Sequence, residues 1–319
     1  MRRTLAAAVA TAALAGIAPA TAAAVGKPGV STGGATAVKI TTATLNGRVN
    51  PNGLATAWFF QYGTTKAYSA QTPGVAAGQG TTAVAAHTPI GALAPNTTYH
   101  FRLVAHNAAG TTAGADHTFK TPRQPLGLSL AATPNPVGLG RPTVLAGTLA
   151  GTGNARRPVQ LQQKLFPFTA GFTNVGNAQL TNAKGGFAFP LLSVPMTAQY
   201  RVLLTDNAAV ASPIVTVGVQ VIVGTRVTHQ RVRRGARVHF SGSVWPAVIN
   251  TPMAIQKLGH SGRWVTISGS ITRPRTSSRV VYGKTIRIRR GGSYRVYVGA
   301  SGGQFAPNVG RTIVIHTFR

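Results

Sequence analysis

The chain has 319 residues, with 32 Lys and Arg against only two acids, Asp116 and Asp206, and carries a net charge of +30 with no Glu and no Cys. So few carboxylates leave little for paired acid/base glycoside chemistry, which needs two of them about 5–10 Å apart, or for oxygen-ligated Ca²⁺ or Mg²⁺ sites. The missing Cys removes thiol catalysis and thiolate metal sites, so the expectation is a cationic, non-catalytic chain with no cofactor.

Residues 1–24 are expected to form a secretory signal peptide. Arg2 and Arg3 supply a basic start, Leu5 to Ile17 an Ala-rich apolar core, and Pro19 with small residues a cleavage region before Val25. The apolar core is too short to span a bilayer, and no later apolar run reaches about 18 residues, so no transmembrane span is expected. Export implies a protein that is secreted or held non-covalently at a cell surface. Without disulfides it must be stabilised by burial alone.

About 295 residues follow, close to three times the roughly 100 residues of an immunoglobulin-like sandwich. Runs such as Thr56-Ala-Trp-Phe-Phe-Gln-Tyr62, Tyr99-His-Phe-Arg-Leu-Val-Ala105 and Arg295-Val-Tyr-Val298 are rich in β-branched and aromatic residues. Gly (38) and Pro (20) interrupt nearly every longer window, which argues against helices. The fold class predicted is all-β: three tandem β-sandwich domains over 25–122, 123–225 and 226–319. The Pro-flanked stretch Thr121–Pro125 is the first boundary, and the composition shift near Val219–Thr225 is the second.

In the first domain, Tyr99, Phe101, Leu103 and Ala105 alternate toward a core, while His100, Arg102 and His106 point out. Leu93, Pro95, Thr97, Tyr99, Arg102, Ala105 and Asn107 fill the pattern Leu-x-Pro-x-Thr-x-Tyr followed by Arg-x-x-Ala-x-Asn. This stretch resembles the late strands of a fibronectin type III domain, and Ala43–Gly53, Trp58–Thr65 and Thr118–Pro122 resemble further strands of a bacterial variant. The resemblance implies a sandwich in which the Tyr99 hydroxyl returns to backbone a few residues upstream. The usual core Trp of the second strand is absent, and Trp58 falls on the third.

The second and third domains are copies of each other. Gly140–Leu149 aligns without gaps on Gly235–Val244, Pro158–Gln162 on Pro252–Gln256, and Tyr200–Leu203 on Tyr294–Tyr297, all at an offset of 94 or 95. This pair is similar in style to bacterial immunoglobulin-like surface repeats.

Chemistry is sparse. Asp116 and His117 are neighbours, but adjacent strand residues face opposite ways, so Asp116 reads as a surface strand residue. His100 and His106 share a face but stand about 20 Å apart at strand rise, too far to share a metal; His117 on a neighbouring strand could approach one of them. No Gly-x-Ser-x-Gly elbow and no phosphate-loop pattern occurs.

The charge is concentrated at the C-terminal end: seventeen of the basic residues lie in 226–319, which contains no acid. Arg231, Arg233, Arg234 and Arg237 precede one strand, and Arg273, Arg275 and Arg279 cluster in a loop. Arg287 and Arg289 oppose Ile286 and Ile288. With Gly291-Gly292 read as a hairpin turn, Arg290, Arg295 and Tyr297 complete one Arg-rich face. Arg pairs bidentately with phosphate and carboxylate. These residues are therefore the candidates for contact with anionic polymers: wall polymer, acidic polysaccharide, lipid headgroups or extracellular DNA without base readout. Two charges 10 Å apart in water repel by only about 0.4 kcal/mol, so a solvated basic face on a structural spacer with no strong ligand is the competing expectation.

Overall fold

A computed structural model describes residues 25–299 and 302–319. The predicted signal, residues 1–24, lies outside the described residues. Among the described residues there is no helix, and every major element is a strand. The chain divides into two compact units, the first ending at Gln124 and the second spanning Pro125–Arg319.

The first unit is a sandwich of two antiparallel sheets. One orders Gly29–Thr32, Ala43–Asn50 and Val84–Ile90. The other is built on Thr56–Gly63 paired with Thr98–Asn107, flanked by short strands that include His117–Lys120. Alternation drives the packing: Tyr99, Phe101, Leu103 and Ala105 are buried, as the sequence predicts. Trp58 fills the core from the third strand, edge-on to Phe60 at 5.7 Å between ring centres. The tyrosine corner is present, with the Ala94 amide donating to the Tyr99 hydroxyl at 2.9 Å. These features make the unit a fibronectin type III- or immunoglobulin-like sandwich.

The second unit contains two further sandwiches built alike. Thr143–Ala150, Pro158–Leu165 and Ala198–Leu204 recur as Arg237–Trp245, Pro252–Leu258 and Gly292–Val298. In both copies one short strand runs parallel to a late one: Val137–Gly138 beside Val219–Gln220, and Arg231–Arg233 beside Ile313–Phe318. The buried residues of the two copies form one continuous apolar core cluster. Backbone bonds join the copies: the Ala306 amide donates to Val219 O at 2.6 Å, and the Thr197 amide to Gln304 O at 2.9 Å. Asn308 Nδ2 adds a bond to Val221 O at 2.8 Å, and Phe305 is buried in the shared core.

One Gly holds the same place in all three sandwiches. Gly47, Gly147 and Gly242 each sit mid-strand between two buried apolar residues: Leu45 and Val49, Leu145 and Leu149, Phe240 and Val244. The segment that precedes and pairs with each strand comes into direct contact with the Gly. A Cβ would press on Ser31 O, Ser129 O and Gly224 O respectively, so only Gly permits the approach.

Candidate anion-binding site

The third sandwich is where the sequence concentrates its charge. One of its sheets centres on Arg237–Trp245, paired with Val280–Arg287, Ile222–Val223, Arg226–Val227 and, through Val280–Arg287, Arg273–Pro274. Val238, Phe240 and Val244 enter the core, so Arg237, His239, Ser241 and Ser243 form the outer face. Register then places Arg287 opposite Arg237, Arg226 opposite Ser241, and Arg273 opposite Val281. The seven residues from Arg237 to Ser243 span about 20 Å, with cations at both ends and in the middle.

At one end of this sheet the chain brings its turns together. The Gly235 amide donates to Ile288 O at 2.8 Å, the Ile288 amide to Ala236 O at 2.9 Å, and the Arg234 amide to Phe318 O at 2.9 Å. Lys257 Nζ and the Tyr294 hydroxyl both donate to Arg290 O, at 3.0 and 2.8 Å, fixing the 289–291 turn. Burial pushes the Tyr294 hydroxyl up, so it remains a donor. Seven of the nine predicted residues are brought to this end or the strand leading to it: Arg231, Arg233, Arg234, Arg237, Arg287, Arg289 and Arg290, all exposed.

Arg295 and Tyr297 do not join them, which corrects the predicted hairpin. Gly291-Gly292 is not a hairpin turn. Val280–Arg287 pairs with Arg237–Trp245, whereas Gly292–Val298 pairs with Pro252–Leu258 and Ile313–Phe318 in the opposite sheet. The reason is that both strands carry an apolar face. Tyr282 and Ile288 on one side, and Tyr294, Val296 and Val298 on the other, are buried by meeting across the core rather than side by side. Arg295 is engaged elsewhere: its Nε donates to Gln256 Oε1 at 2.8 Å, and its guanidinium lies 4.3 Å from the Trp264 ring centre.

At the other end of the same sheet lies a groove of about 930 Å³, lined by Arg226, Arg275, Arg279 and Arg311 with Ser241 and Ser243. Tyr282 also lines it; its hydroxyl donates to Gly224 O at 2.7 Å and lies 2.8 Å from Thr225 Oγ1. Burial pushes that hydroxyl up to about 12, against the opposing pull of the Thr225 bond, so it stays protonated. Arg275 and Arg279 belong to the loop cluster visible in the sequence. Arg226 and Arg311 were missed, because 85 residues separate them and only the fold brings them together.

In the first unit, Asp116 is not the plain surface residue predicted. It sits just before His117–Lys120, accepts the Tyr68 hydroxyl at 2.7 Å, and pairs through Oδ2 with His100 Nδ1 at 2.8 Å. Lys66 stands 3.9 Å away. Burial alone would raise its carboxyl, but the bonds from His100 and Tyr68 and the nearby charges outweigh it and hold the group below its ordinary value. His117 does not approach His100; it packs beside Phe101, 6.1 Å between ring centres. Among the described residues no cluster of three His, Cys, Asp or Glu could hold a metal.

The fold is all-β and of sandwich type, and residues 226–319 carry arginines with no acid among them. No protein-family model matches the chain, and no curated protein matches it. Among solved structures it is similar to the FN1-FN3 domains of chicken CNTN1, at 15% identity over 92% of this chain and 100% of that one, with a TM-score of 0.29. So low a score is no argument for kinship or for a shared role.

Proposed function

We propose that this chain is a non-catalytic exported binding protein whose third sandwich contacts anionic polymers outside the cell: wall polymer, acidic polysaccharide or extracellular DNA, the last without base readout. The observation that supports it is the pairing of Arg237 with Arg287, directly opposite on an exposed strand pair. Like charges so placed destabilise a sheet. Residues 226–319 contain no acid to relieve them, and the turns beside them add Arg233, Arg234, Arg289 and Arg290. Such a surface suits a partner that brings its own negative charge and displaces counterions along a linear track.

The test is retention of the full chain on heparin and on anionic wall polymer at low and high salt, beside a variant carrying Arg287→Glu, Arg289→Glu and Arg290→Glu. The expected result is salt-sensitive retention that the variant loses. No retention at low salt would instead favour a structural spacer with no strong ligand.

A further inference from the structure

We infer that the groove lined by Arg226, Arg275, Arg279 and Arg311 is a site for an oligophosphate, that is, two or more phosphoryl groups in line; the inference rests on reading the third sandwich as anion-binding. It concerns the opposite end of the sheet from the Arg237/Arg287 cluster, and a different kind of recognition.

The guanidinium groups are free to take a ligand. Among the described residues, no hydrogen bond or ion pair engages those of Arg226, Arg275 or Arg279, and Arg311 gives only its Nε to Thr225 O at 3.3 Å. The Ser241 and Ser243 hydroxyls are likewise without a partner among the described residues, and both line the groove. The floor is rigid. Tyr282 is tied to Gly224 and Thr225, and the segment 224–225 packs so closely on Gly242 and Gly310 that an added Cβ would press on Gly224 O in the first case and on Thr225 Oγ1 in the second.

Charge density selects among anions. A carboxylate or a sulfate ester brings one negative charge, whereas a terminal phosphoryl group carries roughly 1.5–2 with three strong acceptor oxygens, and each phosphoryl group inside the chain adds about one more. Four guanidiniums around one groove are therefore matched by two or three consecutive phosphoryl groups, and leave a single monovalent group under-charged for its site. All four cations are Arg, whose planar fork fits two oxygens of one tetrahedral group. A groove of about 930 Å³ is roomy enough for such a chain.

The test is calorimetric titration of the full chain with tripolyphosphate, with citrate as a tricarboxylate competitor. Two variants are compared, each checked by circular dichroism: Arg226→Ala with Arg279→Ala in the groove, and Arg123→Ala with Arg263→Ala at exposed positions outside both arginine clusters. We expect saturable binding that weakens roughly tenfold or more in the groove variant, which can no longer form the charge-assisted hydrogen bonds. The control variant should bind as the wild type does, and citrate should compete poorly. Equal weakening in both variants, or equal competition by citrate, would overturn the site. If tripolyphosphate fails to bind while heparin is still retained, this inference falls and the polymer reading stands. If neither binds, both fall.

Discussion

Arg201 Nε donates to Gln162 Oε1 at 2.9 Å across two adjacent strands, and the guanidinium lies 4.3 Å from the Phe172 ring centre. The same clasp recurs in each of the other sandwiches. Arg102 bonds Gln61 at 2.9 Å over Tyr68, and Arg295 bonds Gln256 at 2.8 Å over Trp264. In all three the Arg and Gln are direct cross-strand partners. The clasp pins the segment after the Gln-bearing strand onto the outer face of the sheet. It makes the first sandwich a third instance of the pattern seen in the two copies.

Removing the clasp should therefore cost stability. Arg201→Ala is expected to lower the unfolding free energy by about 1–3 kcal/mol, since it loses a charge-assisted hydrogen bond and a cation–π interaction at a partly exposed site. Arg201→Lys should fall between, since it keeps the charge but loses the planar fork. Urea unfolding of the three proteins measures this directly; a neutral Arg201→Ala would mean that the clasp is decorative.

In the third sandwich, two arginines should respond with opposite sign. Arg295→Glu breaks a clasp and is expected to destabilise the sandwich by about 1–3 kcal/mol. Arg287→Glu places an acid opposite Arg237 and is expected to stabilise it by about 0.2–1 kcal/mol, while weakening polyanion binding. Thermal melts of both variants check the signs, and a loss of stability in Arg287→Glu would contradict the exposed, unrelieved pair.

Gly147→Ala and Gly242→Ala should each destabilise the second unit by about 1–3 kcal/mol, because the added Cβ presses on a backbone oxygen that cannot move without shifting a strand. Gly74, Gly80 and Gly127 have no atom within 4 Å of an added Cβ and no strained φ, so Ala at Gly127 serves as the neutral control in the same unit. Matching melting curves for Gly147→Ala and Gly127→Ala would refute the close-approach explanation.

The first unit should carry a low-pH signature of Asp116. Its folded carboxyl sits below the ordinary value of about 3.9, so the folded state holds the charged form better than the unfolded chain does. The resulting stability is fully present above that unfolded value and is lost as pH falls through the folded one. The stability gap between wild type and Asp116→Asn should shrink as pH falls below about 4. A gap that persists unchanged into stronger acid would show that the His100 and Tyr68 bonds do not depend on the charge.

Much of the fold was legible because strand alternation and turn chemistry are local. Tyr99 to Ala105 and Tyr294 to Val298 announce their buried faces in the sequence, and the tyrosine corner follows from Tyr99 and its upstream Pro95. The offset of 94 or 95 is likewise read directly from the sequence. The third instance was hidden because its aromatic clamp comes from a segment of variable length: Tyr68, Phe172 and Trp264 follow their Gln by different intervals. The site was half legible. Runs of Arg at 231–237 and 287–290 are adjacent in sequence and stay adjacent in space. The hairpin error arose because Gly291-Gly292 suits a tight turn equally well whether the chain folds back within a sheet or crosses between sheets. Arg226 and Arg311 meet only through the sandwich itself.

The most direct test of the polyanion reading is the salt dependence of binding to duplex DNA of unrelated sequence, chosen because its counterion release is well characterised. The wild-type chain is expected to show log affinity falling linearly with log salt. The Arg287→Glu, Arg289→Glu, Arg290→Glu variant should show a slope shallower by about 0.9 for each phosphate it no longer neutralises. An unchanged slope, or no binding by the wild type even at low salt, would contradict the polyanion reading and leave the arginines as a solvated face.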